Sequence, residues 1–109
     1  METSFILVLI TTPSSEVGAQ IAEALVGQKL AACVNVLPGI RSIYAWKGAV
    51  QADEESLLIV KSRLELFDTL QSAVRLMHPY EVPEIIALPV TAGAQSYLDW
   101  WQAETAYER

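Results

Sequence analysis

Strand-type and helix-type segments follow one another along this chain in an order that limits the folds open to it. Residues 5–10 form an unbroken apolar run typical of a strand buried on both faces. Apolar residues at helical spacing follow over 17–25, and we expect that helix to end near Gly27. Three residues compete to cap its N-terminus: Thr12, Ser14 and Ser15.

The middle of the chain predicts two strands joined by a turn. Residues 30–36 indicate a second strand, which Pro38-Gly39 breaks or bulges before it resumes over 40–45. Trp46-Lys47-Gly48 approaches a turn, and residues 56–61 predict a third strand. We expect the acidic residues 53–55 to lie at the entry of that strand.

The last part of the chain predicts a helix, a strand and a terminal helix. Helical spacing over 66–77 must end by His78, because Pro79 disfavours helical geometry in the residue before it. Residues 84–90 predict a strand, and Pro89 places it at an edge or a bulge. The order β-α-β-β-α-β plus the terminal helix, 94–103, predicts one α+β domain over 1–109, a ferredoxin-like split βαβ sandwich with an extra C-terminal helix.

The run His78-Pro79-Tyr80-Glu81-Val82-Pro83-Glu84 is where function is most expected. It holds the only histidine and two of the five prolines, so a ligand-type imidazole sits in a stiff peptide between a helix end and a strand start. Tyr80 and Glu81, together with Glu55 and Lys61 from the third strand, are candidates to line a cleft. Position along the strand alone favours solvated strand ends for Glu55 and Lys61.

Charge and cysteine content exclude several classes of function. The net charge is −6 and the seven Lys and Arg residues are scattered, whereas binding to nucleic-acid phosphates needs a basic stripe. The single cysteine, Cys33, excludes an internal disulfide and fits a reducing cytosol. The first residues carry no basic signal region, and the longest apolar run is too short to span a bilayer. We therefore expect a cytoplasmic protein with no membrane or nucleic-acid partner.

Metal binding is the chemistry that the residue types favour. A Cys thiolate, a His imidazole and the Met77 thioether are soft or borderline ligands that suit copper and zinc. Each also has a structural interpretation: Cys33 as a small buried thiol, His78 as a helix-terminal residue that bonds the last carbonyls, and Met77 as core. Cys33 with His78 as nucleophile and base is a third hypothesis, but no catalytic motif accompanies them, and we expect no enzyme activity.

Aromatic residues occur in two further groups. Tyr44 with Trp46 and the pair Trp100-Trp101 have large apolar bodies with a polar handle, which favours core or subunit-interface positions. The positive mean hydropathy of so short a chain also predicts apolar surface buried against another subunit.

Four motifs, in order and at matching spacing, resemble the CutA divalent-cation tolerance family. They are Leu30-Ala31-Ala32-Cys33-Val34-Asn35, Tyr44-Ala45-Trp46-Lys47-Gly48, Glu55 to Ser62, and His78 to Ile85. The resemblance implies a tight homotrimer with sheet pairing between subunits. It also implies copper or another divalent cation bound, weakly or between subunits, through Cys33 and His78. The family is similar in architecture to PII-type signalling trimers, so the alternative function is a signalling or scaffold module whose intersubunit cleft holds a small molecule or a partner.

Overall fold

The structure is a computed structural model that describes residues 4–106. The elements follow the predicted order: β1 (Phe5–Thr12), α1 (Ser15–Gly27), β2 (Cys33–Trp46), β3 (Ala49–Arg63), a 3-10 turn (Leu64–Leu66), α2 (Phe67–Met77), β4 (Ile85–Pro89) and α3 (Gln95–Glu104). The first three residues, part of the segment on which the absence of a secretory signal was predicted, lie outside the described residues. None of the helices described between residues 4 and 106 is both long and apolar enough to cross a bilayer.

The four strands form one antiparallel sheet in the order β2-β3-β1-β4. The α+β class is therefore confirmed. β4 lies at an edge and Pro89 is its last residue, so the missing backbone donor of Pro89 falls where the prediction put it.

The core lies between one face of the sheet and the helices α1 and α2. Ile6, Val8 and Ile10 of β1 point into it, and each is at most 3% exposed. The alternate residues of β1 are only half-buried, on the opposite or outer face. Within one chain, β1 is therefore fully buried on its inner face and only half-buried on its outer face, whereas burial on both faces was predicted. The buried cluster also contains Ile21, Leu25, Leu30, Ala31, Leu58, Val60, Leu66, Leu70 and Val74.

Helix α1 is capped by Ser14, one of the three competing residues. Its side chain accepts a 3.2 Å hydrogen bond from the backbone N–H of Val17. At the other end Lys29, with φ of 62°, is the left-handed residue that turns the chain. The backbone N–H of Leu30 still bonds the carbonyl of Leu25, which is why β2 begins at Cys33 and not at Leu30.

Strand β3 is much longer than predicted, because the acidic residues 53–55 pair with β2 and so belong to the strand. The two strands form a hairpin closed by Lys47 and Gly48, both at positive φ, as in a type I′ turn. β1 ends at Thr12 opposite Ser56, so from Glu55 outward the hairpin projects beyond the rest of the sheet.

A bulge between Leu37 and Ile40 divides β2. Leu37 pairs with Leu57 and Ile40 pairs with Glu55. The two residues between them on β2, Pro38 and Gly39, therefore lie opposite a single residue of β3, Ser56. Gly39 sits there at φ of +71°, which a residue without Cβ adopts at no steric cost. The predicted break at Pro38-Gly39 is thus a bulge within one continuous strand.

Candidate functional site

A cleft of about 700 Å³ lies between the projecting hairpin and the segment 79–84. The hairpin and the end of β1 contribute Thr11, Ser42, Ile43, Tyr44, Trp46 and Glu55 to its lining, and the segment contributes Pro79, Tyr80, Glu81, Val82 and Glu84. Three of the four predicted cleft residues therefore meet here: Glu55, Tyr80 and Glu81.

The segment reaches the cleft because α2 stops where Pro79 requires it to stop. Met77 is the last helical residue, and His78 has the extended backbone (φ −80°, ψ 131°) that a following proline favours. The chain then crosses the end of the sheet and enters β4 at Ile85, opposite Ile10. Tyr80 is thereby carried to the part of β3 that has no β1 beside it.

Tyr80 and Glu55 make the central polar contact of the cleft. The Tyr80 hydroxyl donates a 2.8 Å hydrogen bond to Oε2 of Glu55, a residue only 7% exposed. Burial, together with the hydrogen bond and the negative charge of Glu55, raises the pKa of Tyr80 to about 12. The phenol therefore stays protonated at neutral pH and acts as a donor to the carboxylate.

A second tyrosine–carboxylate pair lies beside the first. The Tyr44 hydroxyl donates a hydrogen bond to Oδ2 of Asp53, two residues before Glu55 on β3. That hydrogen bond is the main reason that the pKa of Tyr44 is raised above its ordinary value. Because side chains two apart on a strand share a face, Asp53 and Glu55 hold the two phenols on the same side of the hairpin.

His78 supports the cleft segment with both ring nitrogens. Nδ1 accepts a 3.1 Å hydrogen bond from the backbone N–H of Tyr80, and Nε2 lies 2.7 Å from the carbonyl oxygen of Thr11. A carbonyl can only accept, so the ring is neutral with its proton on Nε2. The ring therefore bonds a carbonyl of β1 and not the last carbonyls of α2, and neither nitrogen has a lone pair left for a metal.

Cys33 lies elsewhere, on the outer face of the sheet. It is half-buried, and the Lys61 ammonium lies 3.7 Å from its sulfur and 2.7 Å from Oδ1 of Asn35. Cys33 pairs with Lys61, which pairs with Leu7, four residues from Thr11 along β1. At about 3.3 Å per residue, the end of β1 that holds His78 is about 13 Å away along the strands.

Cys33 and His78 therefore do not meet within one chain. Between residues 4 and 106, no three His, Cys, Asp or Glu side chains are grouped so that they could hold a metal ion. The residues that one chain brings together do not fit a metal centre built on this pair, and a site that uses both must join different copies. The same separation leaves Cys33 without a histidine base in its own chain.

Two predicted residues lie away from their expected positions within one chain. Lys61 does not line the cleft of its own chain, because it is six residues from Glu55 on β3 and bonds Asn35 at the other end of the strand. Met77 does not fill the core and is 40% exposed.

The sequence interpretation missed the cleft role of the hairpin aromatics. Tyr44 and Trp46 line the cleft and are 41% and 45% exposed, so neither is core within one chain, and the interface position that was the other expectation stays a prediction. Of the second aromatic pair, Trp101 is core and Trp100 is 42% exposed. The available signal was the alternation of Tyr44 and Trp46 with small or apolar residues just before a turn.

Sequence comparison relates the whole cleft-bearing fold to known proteins. The family model "CutA1 divalent ion tolerance protein" matches residues 6–104. The chain is 52% identical over 99 residues to the divalent-cation tolerance protein CutA of Thermus thermophilus, covering 91% of this chain and 96% of that one. It is 49% identical over 100 residues to the chloroplastic CutA of Arabidopsis thaliana, covering 92% of this chain but 55% of the relative. The chain thus spans about half the length of its plant and mammalian relatives.

Solved structures give the same relationship. The Thermus thermophilus divalent cation tolerance protein superposes with a TM-score of 0.92 at 51% identity, covering 94% of this chain and 99% of that one. CutA1 from Oryza sativa superposes with a TM-score of 0.93 at 46% identity, covering 96% of each chain.

Proposed function

The chain belongs to the CutA1 divalent ion tolerance family, and from this premise we propose that it is a non-enzymatic homotrimer that binds divalent ions of the copper type. The observation that carries the proposal is the match over residues 6–104 to a family described by divalent ion tolerance. The strand order β2-β3-β1-β4 within a β-α-β-β-α-β chain supports a ferredoxin-like subunit.

The outer face of the sheet supports the assembly into trimers. Leu37, Ile86 and Leu88 on that face are 39%, 51% and 44% exposed, and Leu7 and Leu9 beside them are half-buried. α3 reaches one end of this face, where Trp101 packs edge-to-face on Phe5 with ring centroids 5.1 Å apart. A contiguous apolar face of this kind gains free energy when a second subunit removes it from water.

The open strands support the same assembly. Among the strands described between residues 4 and 106, β2 and β4 each have one unpaired edge, and the hairpin projects with Ile43 at 67% and Val50 at 78% exposure. Unpaired edges and exposed apolar strand residues are stabilised by pairing with another chain. Sedimentation velocity at micromolar concentration tests the proposal: a species of three chains supports it, and a 12.0 kDa monomer contradicts it.

Of the two proposed metal ligands, Cys33 is the stronger. It lies on the outer face that we propose to be buried between copies, where a second chain can supply further ligands. Lys61 must first move away from the sulfur, because its ammonium repels a cation. His78 must break two hydrogen bonds, and leaving a buried polar group unsatisfied costs about 1–3 kcal/mol.

Native mass spectrometry with a copper titration tests metal binding. The reduced protein is compared with Cys33→Ser and His78→Ala, and Glu23→Gln on the exposed face of α1 serves as a control for a surface change. We expect a fixed copper number per trimer that Cys33→Ser loses, with weaker uptake at pH 5 than at pH 7.5, because a thiol must lose its proton to ligate. Equal uptake by the wild type and both ligand variants would show adventitious binding and contradict the proposal.

A second candidate function is a trimeric signalling or scaffold module that holds a small molecule or partner in the cleft. The observation that favours it is a cleft of the size of ordinary ligand sites, with an ordered Tyr80–Glu55 contact in its lining. A thermal-shift screen separates the two candidates, since a ligand that binds only the folded state raises the melting temperature. Stabilisation by a metabolite and not by metals favours the second; the reverse favours the first.

A further inference from the structure

We propose that the cleft binds an aliphatic diamine or polyamine, whose ammonium group pairs with the Glu55 carboxylate. The inference names the ligand class of the second candidate function and rests on it. Three properties of the lining support it: an unpaired buried charge, aromatic rings whose hydroxyls are already engaged, and an apolar wall.

The charge of Glu55 lacks a counter-ion within the described chain. The residue is 93% buried by its 7% exposure, and its one hydrogen bond comes from Tyr80, a neutral donor. Within residues 4–106 the sole ion pair is Arg63–Glu65, outside the cleft. Burying a carboxylate is costly unless a positive charge or several donors compensate it, and a ligand ammonium supplies both.

The rest of the lining reinforces the preference for a cation. Glu81 and Glu84 also line the cleft, and no Lys or Arg is found among its described lining residues. Three carboxylates without a basic residue repel anionic ligands and attract positive ones. Their distribution over both the strand and the segment suits a ligand with more than one positive group.

Aromatic residues add a second cation-binding element. Tyr44, Trp46 and Tyr80 line the cleft, and the two phenol hydroxyls already donate to Asp53 and Glu55. What these side chains offer a ligand is therefore ring surface, which attracts ammonium groups within about 6 Å. The Lys47 ammonium lies 5.9 Å from the Trp46 ring centroid, at the limit of this attraction.

The apolar part of the lining distinguishes an organic amine from a bare metal ion. Ile43, Pro79 and Val82 contribute hydrocarbon surface, against which methylene groups bury favourably. A metal ion gains nothing from such surface and prefers several oxygen ligands together. The hydroxyls of Thr11 and Ser42 can accept hydrogen bonds from the N–H groups of an amine.

Isothermal titration calorimetry on the full chain, with 1,6-diaminohexane as the probe, tests the inference. 1,6-Hexanediol is the matched neutral probe of equal length, and MgCl₂ controls for divalent charge. We expect the diamine to bind and the diol not to bind. Glu55→Gln, which keeps the shape and the Tyr80 contact, should weaken diamine binding by about tenfold or more, as loss of a charged hydrogen bond requires. Glu23→Gln, an exposed carboxylate on α1, should bind as the wild type does.

Trp46→Leu gives a readout that does not depend on Glu55. It should weaken the diamine and leave the circular dichroism spectrum and the assembled mass unchanged. If the diol binds as tightly as the diamine, or if Mg²⁺ binds with the same dependence on Glu55, the proposed ligand class is wrong. The cleft would still be a binding site in either case. If the diamine does not bind but an anionic metabolite does, the proposed ligand class is wrong and the second candidate function stands. Failure of every ligand would overturn both the inference and the second candidate function.

Discussion

The imidazole of His78 donates a 2.7 Å hydrogen bond from Nε2 to the carbonyl oxygen of Thr11, and so ties the end of α2 to the end of β1. Its other nitrogen accepts the backbone N–H of Tyr80, the residue that reaches Glu55. One side chain thus positions the start of the segment that forms one wall of the cleft. The only histidine of the chain has a positioning role in this structure, whatever it binds in an assembly.

Replacing His78 by Ala should destabilise the fold by about 1–3 kcal/mol. The change leaves the N–H of Tyr80 and the carbonyl of Thr11 without partners at a site where His78 is 7% exposed. Urea unfolding at fixed protein concentration measures the effect. The control is Arg75→Ala, an exposed position on α2, for which we expect about 0.5 kcal/mol or less. Equal effects of the two changes would show that the two hydrogen bonds of the His78 ring do not stabilise the fold.

Folding stability should fall between about pH 10 and pH 12, in part through Tyr80. The folded-state pKa of about 12 exceeds the ordinary value of 10.0, so the stabilising contribution is complete below pH 10. It is lost as pH rises through the folded-state pKa, because the unfolded chain releases the phenol proton first. The measurement is the difference in melting temperature between the wild type and Tyr80→Phe, because that difference isolates the contribution of the Tyr80 hydroxyl. That difference should change between pH 9 and pH 12. A constant difference over this range would contradict the raised pKa of Tyr80.

Gly18 and Gly27, both in α1, should respond to alanine in opposite ways. A Cβ at Gly18 would lie 3.1 Å from both Leu58 Cδ2 and Thr12 Oγ1, whose residues are fully buried. Overpacking there should cost about 1–3 kcal/mol. A Cβ at Gly27 meets nothing within 4 Å, so alanine should stabilise by about 0.4–1 kcal/mol through lower unfolded-state entropy. Chemical denaturation of both variants checks the contrast. If Gly18→Ala stabilises the protein, Leu58 and Thr12 shift enough to make room for the added methyl group, and the prediction is wrong.

Trp101 should matter far more to stability than its neighbour Trp100. Trp101 is 3% exposed, and its Nε1 donates a 2.9 Å hydrogen bond to the carbonyl of Ser62. Trp101→Phe removes that bond and leaves a cavity, which together should cost about 2–4 kcal/mol. Trp100→Phe is the matched control, because Trp100 is 42% exposed and packs on Tyr97. Similar losses in both variants would place Trp100 in a buried interface of the assembly.

The order of the elements could be predicted because each helix and strand carries its own period of apolar residues. The length of β3 could not, because Asp53, Glu54 and Glu55 are poor strand formers in isolation. They are held in a strand by pairing with residues 40–42, which lie more than ten positions away. Tertiary pairing overrides local preference in such a hairpin.

Part of the predicted cleft lining comes together in one chain, and it does so where sequence neighbours coincide with spatial neighbours. Tyr80 and Glu81 share one stiff segment, and Glu55 joins them because β1 stops at Thr12 and leaves room beside β3. Glu55 and Lys61 were expected on one strand face, at opposite ends of a cleft or as solvated strand ends. Six residues of extended chain separate them by about 20 Å, and within one chain Glu55 lines the cleft and Lys61 does not. Face alternation predicts the side of a sheet on which a residue lies, but not the position along it.

The bulge between Leu37 and Ile40 has a consequence for how this hairpin tolerates a change in length. Before it, odd-numbered residues of β2 share a face with Glu55; after it, Ser42, Tyr44 and Trp46 do. Pro38 and Gly39 together lie opposite the single residue Ser56, so loss of one codon there would remove the bulge and leave Ile40 opposite Glu55. Both halves of β2 would keep their register, and both aromatic residues would stay in the wall of the cleft. A lineage could thus lose this extra residue in one deletion event without exchanging the lining of the cleft.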